Sequence, residues 1–320
     1  MDLLFKPGTG ITLMIDQPVS IPYKSGFSAV VGRPNVGKSQ LINLLLGQKI
    51  AAVSSKPQTT RRQQLGILSL NGAQIILVDT PGIHLPHHLL GEQLNLEAAH
   101  AILDSDLILW IVDGSVGPHA DDEKVAERIR QEGRQAETIL VINKLDLLSE
   151  TELPEREGEY RALLQPAAAV AISALFGINI DRLLEELLRR LPDGEPFFPE
   201  DQLTDAYERD IAADLIREAA LRHLFGEVPH SIAVRIDEFT ERGKLGAFIA
   251  ATLFVERESQ KAIVIGEGGS MIKAIGVTAR EEIEAMSGRK VFLDLKVKTR
   301  KNWRNDKNAL TAFGFRTDQP

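Results

Sequence analysis

The chain has no cysteine at all, which rules out a disulfide framework and any thiolate zinc site. It also lacks a long apolar run: nothing approaches the ~18 consecutive apolar residues that a membrane-spanning helix needs. The first 25 residues carry Asp2, Lys6, Pro7 and Asp16 and have no continuous apolar stretch, so they do not read as a secretory signal. Positive charge is in short supply too. With 37 Lys/Arg against 45 Asp/Glu the net charge is −8, which argues against a uniformly basic nucleic-acid binder. There is no internal repeat and no low-complexity segment. The expectation is a soluble, cytoplasmic protein of about two domains, with 43% hydrophobic residues to build their cores.

The average charge hides an asymmetry. Residues 228–320 hold 16 Lys/Arg against 12 Asp/Glu, whereas the rest of the chain holds 21 against 33. An acidic front and a mildly basic back suggest two jobs.

The front contains the most informative stretch. A short apolar run, Phe27 to Val31, reads as a buried parallel strand and ends at Gly32. The spacing from Gly32 to Gly37, Lys38 and Ser39 then fits the phosphate-binding pattern G-x-x-x-x-G-K-S. A polyphosphate needs backbone N–H groups around it, here those of Gly32, Asn35, Val36, Gly37, Lys38 and Ser39, with no side chains in the way. Glycines clear the approach, and the helix starting near Gly37 aims its positive end at the same place. Lys38 adds fixed charge for the outer phosphates, and the Ser39 hydroxyl can ligate Mg²⁺.

Apolar runs and helical stretches alternate from there. Strands are predicted at 27–31, 64–70, 74–79, 106–113, 137–143 and 168–172, and helices near 38–47, 90–104, 120–133, 155–164 and 179–191. Asn71-Gly72 is a hairpin turn signal, so one antiparallel pair joins a series of βα repeats. The fold class is α/β: a mixed, mostly parallel six-stranded sheet flanked by helices. The Pro-rich segment from Pro192 to Pro199 breaks this pattern as a linker. Boundaries follow as a leader at 1–25, a nucleotide domain at 26–192, a linker at 193–204 and a second domain at 205–316.

Two further motifs complete a nucleotide site. Asp79, at a strand end, can hold Mg²⁺ through water, and the Gly82 N–H can meet a γ-phosphate. Asn143, Lys144 and Asp146 follow another apolar strand. The Asp146 carboxylate suits the N1–H and 2-amino donors of guanine, whereas adenine would leave it unpaired. Asn143 can brace the base and the loop, and the Lys144 stem can cover the ring. After the last strand, Ser173, Ala174 and Leu175 would offer backbone N–H groups to the guanine oxygen.

These motifs, in this order, resemble the translation-factor-related GTPases of the Ras-like superfamily. The resemblance implies GTP and GDP as ligands, with a threonine of the Gln58-Thr59-Thr60-Arg61 stretch on Mg²⁺; Thr60 is favoured, with Thr59 in reserve. Position 83 departs from the glutamine type. Ile83 can neither donate nor accept, which implies slow intrinsic hydrolysis. Asn35 matches the asparagine that some relatives use to hold K⁺, which would make Asn35, Lys38, Thr60 and Gly82 the catalytic set. His84, His87 and His88 read as solvated loop residues rather than a metal site.

Beyond the linker, 205–225 has helical spacing and is followed by β-rich runs at 230–236 and 247–256. The apolar Lys261–Ile265 run is open to a helical or strand reading. Gly266, Glu267, Gly268 and Gly269 then form a G-x-x-G loop, which lets nucleic-acid phosphates approach the backbone, with Lys273 one turn later in a helix over 270–286. Near 261–276 there is no aromatic side chain for base stacking. A strand at 291–298 carries Lys296 and Lys298 on one face, consistent with phosphate contact. The order helix-strand-strand-helix-helix-strand is that of an α+β type II KH domain. Glu267 inside the loop is a departure that lowers the expected affinity.

Both domains together resemble the bacterial Era GTPases, over roughly residues 25–316. The resemblance implies a monomer that binds small-subunit (16S) ribosomal RNA near its 3′ end and helps to mature the 30S particle, with peripheral inner-membrane contact known in the family. Gln40, where relatives have Thr, lies outside the expected ligands. The alternative is an RNA chaperone whose GTP site only senses nucleotide status. A tRNA-modification GTPase of the related class would need a partner domain absent from the chain.

Overall fold

The computed structural model describes residues 22–315 apart from 55, 57, 58, 87, 244 and 245. Most of the leader (1–21), Gln58 and His87 therefore lie outside the described residues. Six strands, β1 (Lys24–Val31), β2 (Gln64–Leu70), β3 (Ala73–Asp79), β4 (Leu107–Asp113), β5 (Thr138–Asn143) and β6 (Ala168–Ala171), form one sheet in the order β2-β3-β1-β4-β5-β6. All pair in parallel except β2 with β3, which meet at the Asn71-Gly72 turn. Every residue of β3, β4 and β5 is buried, because helices cover both faces; such strands read as continuous apolar runs. Helices α1 (Lys38–Leu46) and α5 (Ile180–Arg190) place Leu41, Ile42, Leu183 and Leu187 on one face. On the other face, α2 (Leu89–Asp104), α3 (Ala120–Gln131) and α4 (Glu152–Leu163) contribute Ile102, Val125, Ile129 and Tyr160.

The second domain runs α6 (Glu208–His223), β7 (Ala233–Glu241), β8 (Ala247–Val255), α7 (Glu258–Ile265), α8 (Ser270–Ser287), β9 (Val291–Thr299) and α9 (Lys307–Ala312). Its sheet has the order β7-β8-β9, antiparallel then parallel. The apolar faces of α6, α7 and α8 pack on it through Leu215, Ile216, Val264, Ile275 and Ile283. The fold is that of a Ras-like GTPase domain followed by a KH domain.

Local details differ from the sequence reading for identifiable reasons. Strand β1 starts at Lys24, inside the segment assigned to the leader, because Lys24–Gly26 pair with Ala73–Ile75 of β3. Helix α4 starts at Glu152 rather than after Pro154: a proline in the first turn gives up no helical hydrogen bond. The ambiguous Lys261–Ile265 run is the end of α7, not a strand. Strand β7 extends to Glu241, since its polar end still has Ala247 and Phe248 as ladder partners. Among the described residues no single helix is long and apolar enough to cross a membrane.

The proline-rich linker packs against the sheet as a strap. Gln74, fully buried, accepts from the Phe197 and Phe198 N–H groups (2.8 and 3.0 Å) and donates to the Phe198 carbonyl (2.9 Å). Farther along, the Ile67 N–H donates to the Leu203 carbonyl (2.8 Å), so the strap covers the open edge at β2. The domains meet through an apolar cluster in which Leu90 and Leu94 of α2 pack with Phe254, Trp303, Leu310 and Phe313. Each buried leucine is worth about 1.5–3 kcal/mol. The half-exposed Arg62–Asp210 ion pair nearby (3.1 Å) adds at most about 1 kcal/mol, so the apolar contact dominates the junction.

Candidate functional site

The loop Gly32–Ser39 leaves the C-terminal end of β1 at the point where the strand order turns back between β3 and β4, the place where open α/β sheets bind ligands. A cavity of about 460 Å³ opens there, lined by Asn35, Gly37, Lys38, Ser39, Thr59, Thr60, Gly82 and Lys144 among others. A larger cavity of about 750 Å³ lies at the domain junction, lined by opposed charges such as Arg62, Arg209, Asp205 and Asp210. Volume does not choose between them. Of the two, it is the smaller that joins the Gly32–Ser39 loop to the hydroxyls of Ser39 and Thr60.

Lys38 is buried, and its Nζ donates to the Gly32 and Arg33 carbonyls of its own loop (3.1 and 3.0 Å). Burial pushes its ammonium down to about 8, with the Asp79 carboxylate acting against the shift. An anion seated in the loop would offset that desolvation. Asn35 is exposed at the cavity in a left-handed conformation (φ 65°). Gly82 packs so tightly on the loop that a Cβ there would lie 2.8 Å from the Pro34 nitrogen.

Opposite the loop, Ser39 Oγ lies 2.8 Å from Thr60 Oγ1 and donates to Asp79 Oδ2 (2.9 Å), to which Thr60 Oγ1 also donates (3.2 Å). Burial pushes the Asp79 carboxyl up to about 6 despite Lys38 and these hydroxyls. Its other oxygen, Oδ1, is buried with no hydrogen-bond partner among the described residues. Two hydroxyls and an under-satisfied carboxylate are oxygen donors of the kind a hard divalent ion takes, so the set fits Mg²⁺. Among the described residues no cluster of three His, Asp or Glu side chains could hold a metal instead. Of the threonine pair it is Thr60 that turns inward; the Thr59 hydroxyl donates to the Lys56 carbonyl (2.9 Å).

At the base end Asn143 is buried and works on both sides. Its Nδ2 donates to the Val36 carbonyl (2.7 Å), and its Oδ1 accepts from the Ala174 N–H (2.9 Å). Asp146 is exposed, and its Oδ1 accepts from the buried Ser173 hydroxyl. The Lys144 stem lines the cavity while its Nζ pairs with Asp113 (2.5 Å). Burial would raise the Asp113 carboxyl, but hydrogen bonds from Lys144 and Ser115 hold it below its ordinary range. One expectation needs correction. The Ser173 and Ala174 N–H groups are taken up by Ile178 and Asn143; among the described residues only Leu175 of the trio makes no such bond.

Ile83 is buried in the core beneath α2, so no side chain after Gly82 reaches toward the cavity from that position. His84 and His88 are half-buried rather than free in solvent. His84 Nδ1 lies 2.9 Å from the Gly82 carbonyl, and His88 Nδ1 accepts from the Gly91 N–H (3.0 Å) as the cap of α2. Burial pushes His88 down to about 4, which keeps it a neutral acceptor.

In the second domain Gly266, Gly268 and Gly269 all have positive φ (74°, 57° and 80°). Nothing lies within 4 Å of a Cβ built on either of the last two, so phosphate can approach the turn that opens the 18-residue α8. Glu267 and Lys273 are exposed beside this loop. A groove of about 310 Å³ runs between α8 and the edge strand β9, lined by Lys273, Gly276, Arg280, Phe292 and Leu295. Lys296 and Lys298 lie outside that lining, exposed on the sheet face away from α8, the face that strand alternation also gives to the Phe292 ring, which borders the groove from the sheet edge. Arg280 and Phe292 escaped the sequence reading. Arg280 is two helical turns from Lys273, which a face count finds. Phe292, 64% exposed and stacked on Phe248 at 5.6 Å, comes from a strand far along the chain, so a local search for aromatics misses it.

Known proteins match both domains of the chain. Residues 27–144 match the 50S ribosome-binding GTPase family and residues 227–304 the KH domain family. The chain is 44% identical to GTPase Era of Ruminiclostridium cellulolyticum, covering 93% of this chain and 99% of that one. It is 41% identical to GTPase Era of Heliobacterium modesticaldum, covering 91% and 97%. Among solved structures it resembles Aquifex aeolicus Era bound to GDP·AlF4⁻ (TM-score 0.86, 39% identity, 91% of this chain and 99% of that one). It resembles equally Era in complex with MgGDPNP and nucleotides 1506–1542 of 16S ribosomal RNA (TM-score 0.86, 39% identity, 92% and 99%).

Proposed function

Because the chain belongs to the Era family of GTPases, we propose that it is a Mg²⁺-dependent GTP-hydrolysing switch whose KH domain binds the 3′ end of 16S ribosomal RNA and assists assembly of the 30S subunit. The observation that carries this reading is that one chain joins a guanine-type phosphate-loop site to a KH groove over almost the whole length of its relatives. In it, the loop amides and Lys38 hold the phosphates, Ser39 and Thr60 ligate Mg²⁺, and Asp79 supports the ion through water. The metal would neutralise charge on the β- and γ-phosphates. Gly82 senses the γ-phosphate, Asp146 selects guanine, and Asn143 fixes the loops that present it. RNA lies over Gly266–Gly269 and Lys273, with Phe292 and Arg280 completing the groove and Lys296 and Lys298 reaching flanking phosphates.

The buried Ile83 favours slow hydrolysis, and with it a second reading in which the protein is an RNA chaperone and its GTP site only senses nucleotide status. RNA affinity separates the two. A 16S 3′-end oligonucleotide should bind differently with a GTP analogue, GDP and no nucleotide, and Phe292→Ala should weaken it by about 1–3 kcal/mol, the worth of one stacked base. Equal affinity in all three states would sink the switch, because a ligand without differential affinity shifts nothing.

With no glutamine after Gly82 and Asn35 exposed at the phosphate loop, K⁺ bound beside Asn35 would supply positive charge near the phosphates. Hydrolysis in K⁺ buffer should then exceed that in Na⁺ buffer of equal ionic strength by about 10-fold or more, of the order that one added electrostatic contact supplies. Asn35→Ala should remove the difference. Coincident rates for the unaltered protein would refute the K⁺ assignment.

A further inference from the structure

The loop between α1 and β2, which carries Thr60, is gripped by the second domain. The Val53 N–H donates to Glu218 Oε2 (3.0 Å), Lys56 Nζ donates to the Leu221 and Leu224 carbonyls, and the Arg217 guanidinium donates to the Thr59 carbonyl. Arg217 and Glu218 sit in the last two turns of α6, and the Leu221 and Leu224 carbonyls belong to its C-terminal end and cap, so the contact is with the C-terminal part of this one helix. The grip is buried: Arg217 is 3% exposed and Glu218 1%. Burial pushes the Arg217 guanidinium down to about 10, with the Asp214 carboxylate opposing the shift. A cation buried at that cost is held by what it bonds.

The bond to Thr59 matters because of what the peptide plane connects. The Thr59 carbonyl and the Thr60 N–H share one rigid unit, so fixing the first orients the second and the Cα that follows. Thr60 Oγ1 is then 2.8 Å from Ser39 Oγ. The Thr59 hydroxyl, bonded to the Lys56 carbonyl (2.9 Å), closes the same turn from behind.

We propose that Arg217, a residue of the RNA-binding domain, is a positioning residue for GTP hydrolysis: by holding the Thr59 carbonyl it sets the Thr60 hydroxyl beside Ser39 and Asp79. The second domain thus supplies part of the assembled nucleotide switch by direct contact, not through the linker. This rests on the GTPase reading above; an unaltered protein that does not hydrolyse GTP would overturn that reading first and independently.

The test compares full-length protein with Arg217→Ala, Arg217→Lys, Thr60→Ala and the Arg217→Ala/Thr60→Ala pair. Single-turnover hydrolysis, the Mg²⁺ concentration for half-maximal rate, GDP affinity and thermal midpoint are read for each. Arg217→Ala should slow hydrolysis by about 10- to 100-fold, the range set by losing one charged hydrogen bond, and raise the Mg²⁺ requirement. GDP affinity should stay within about twofold, because Thr60 serves the triphosphate state. Arg217→Lys should recover part of the rate, and it carries the test if the alanine variant does not fold. In the Thr60→Ala background the loss of Arg217 should add less than about twofold. Unchanged hydrolysis and Mg²⁺ dependence in Arg217→Ala, or the same fold-loss with and without Thr60, would overturn the proposal.

Discussion

Asp146→Asn should lower GTP affinity by about 10⁴-fold, the penalty expected when a polar pocket loses a matched partner, and should turn the site toward xanthosine triphosphate. Asp146 is held in place. Its Oδ1 accepts from the Ser173 hydroxyl, and the turn beneath it is closed by Leu147 N–H to the Lys144 carbonyl (2.9 Å) and Leu145 N–H to the Ile172 carbonyl (2.9 Å). A carboxylate fixed in this way can accept from both guanine donors, N1–H and the 2-amino group. An asparagine keeps its oxygen on Ser173 and presents an NH₂ where the 2-amino group arrives, so two donors face each other. Xanthine has an oxygen at that position and accepts instead. Since Asp146 is exposed, stability should move by no more than about 0.5 kcal/mol, so a loss of binding could not be mistaken for unfolding. Competition between the two triphosphates against a fluorescent guanine nucleotide measures the change. Retained GTP affinity would remove Asp146 from the base site.

The parts of this site that could be read from the sequence are those with short-range geometry. Gly32 to Ser39 is one turn and one helix start, so its spacing carries the whole shape. Asp79 and Asn143 each end an all-buried strand, and a continuous apolar run gives that strand away. The parts that escaped are long-range. Arg217 meets Thr59, Lys49 meets Glu218 and Glu282 (2.9 and 2.8 Å), and Arg61 donates to the Ile232 carbonyl (2.7 Å); each pair is separated by more than 150 residues in the chain. No periodicity encodes such a meeting. How the linker packs escaped for a similar reason. Its prolines correctly stop α5, but composition does not reveal that Gln74 will hold Phe197 and Phe198 against the sheet.

Gly37→Ala should cut guanine-nucleotide affinity by about two to three orders of magnitude, and the reason lies outside the phosphate loop. Gly37 caps α1 at φ 103°, where an alanine costs about 1–2 kcal/mol. Its Cβ would also lie 2.2 Å from Asn143 Nδ2. A flexible side chain could swing away from such a contact. Asn143 cannot do so cheaply, because it is 2% exposed and both ends of its amide are engaged, by Val36 and Ala174. Releasing them leaves a buried carbonyl and a buried N–H unpaired, at about 1–3 kcal/mol each, and frees the turn that aims Ser173 at Asp146. The alternative is a shift of the phosphate loop itself. Either way one methyl group strikes the phosphate end and the base end together. Gly47, also at positive φ (64°) but with nothing near its Cβ, is the matched control: its alanine variant should lose stability of about 1 kcal/mol and bind nucleotide normally. If the collision with Asn143 is the cause, Gly37→Ala combined with Asn143→Ala should bind nucleotide no worse than Asn143→Ala alone, within the strain of the left-handed residue. Full additivity in that cycle would show that the cost at Gly37 is backbone strain alone, and that Asn143 does not couple the two ends of the site.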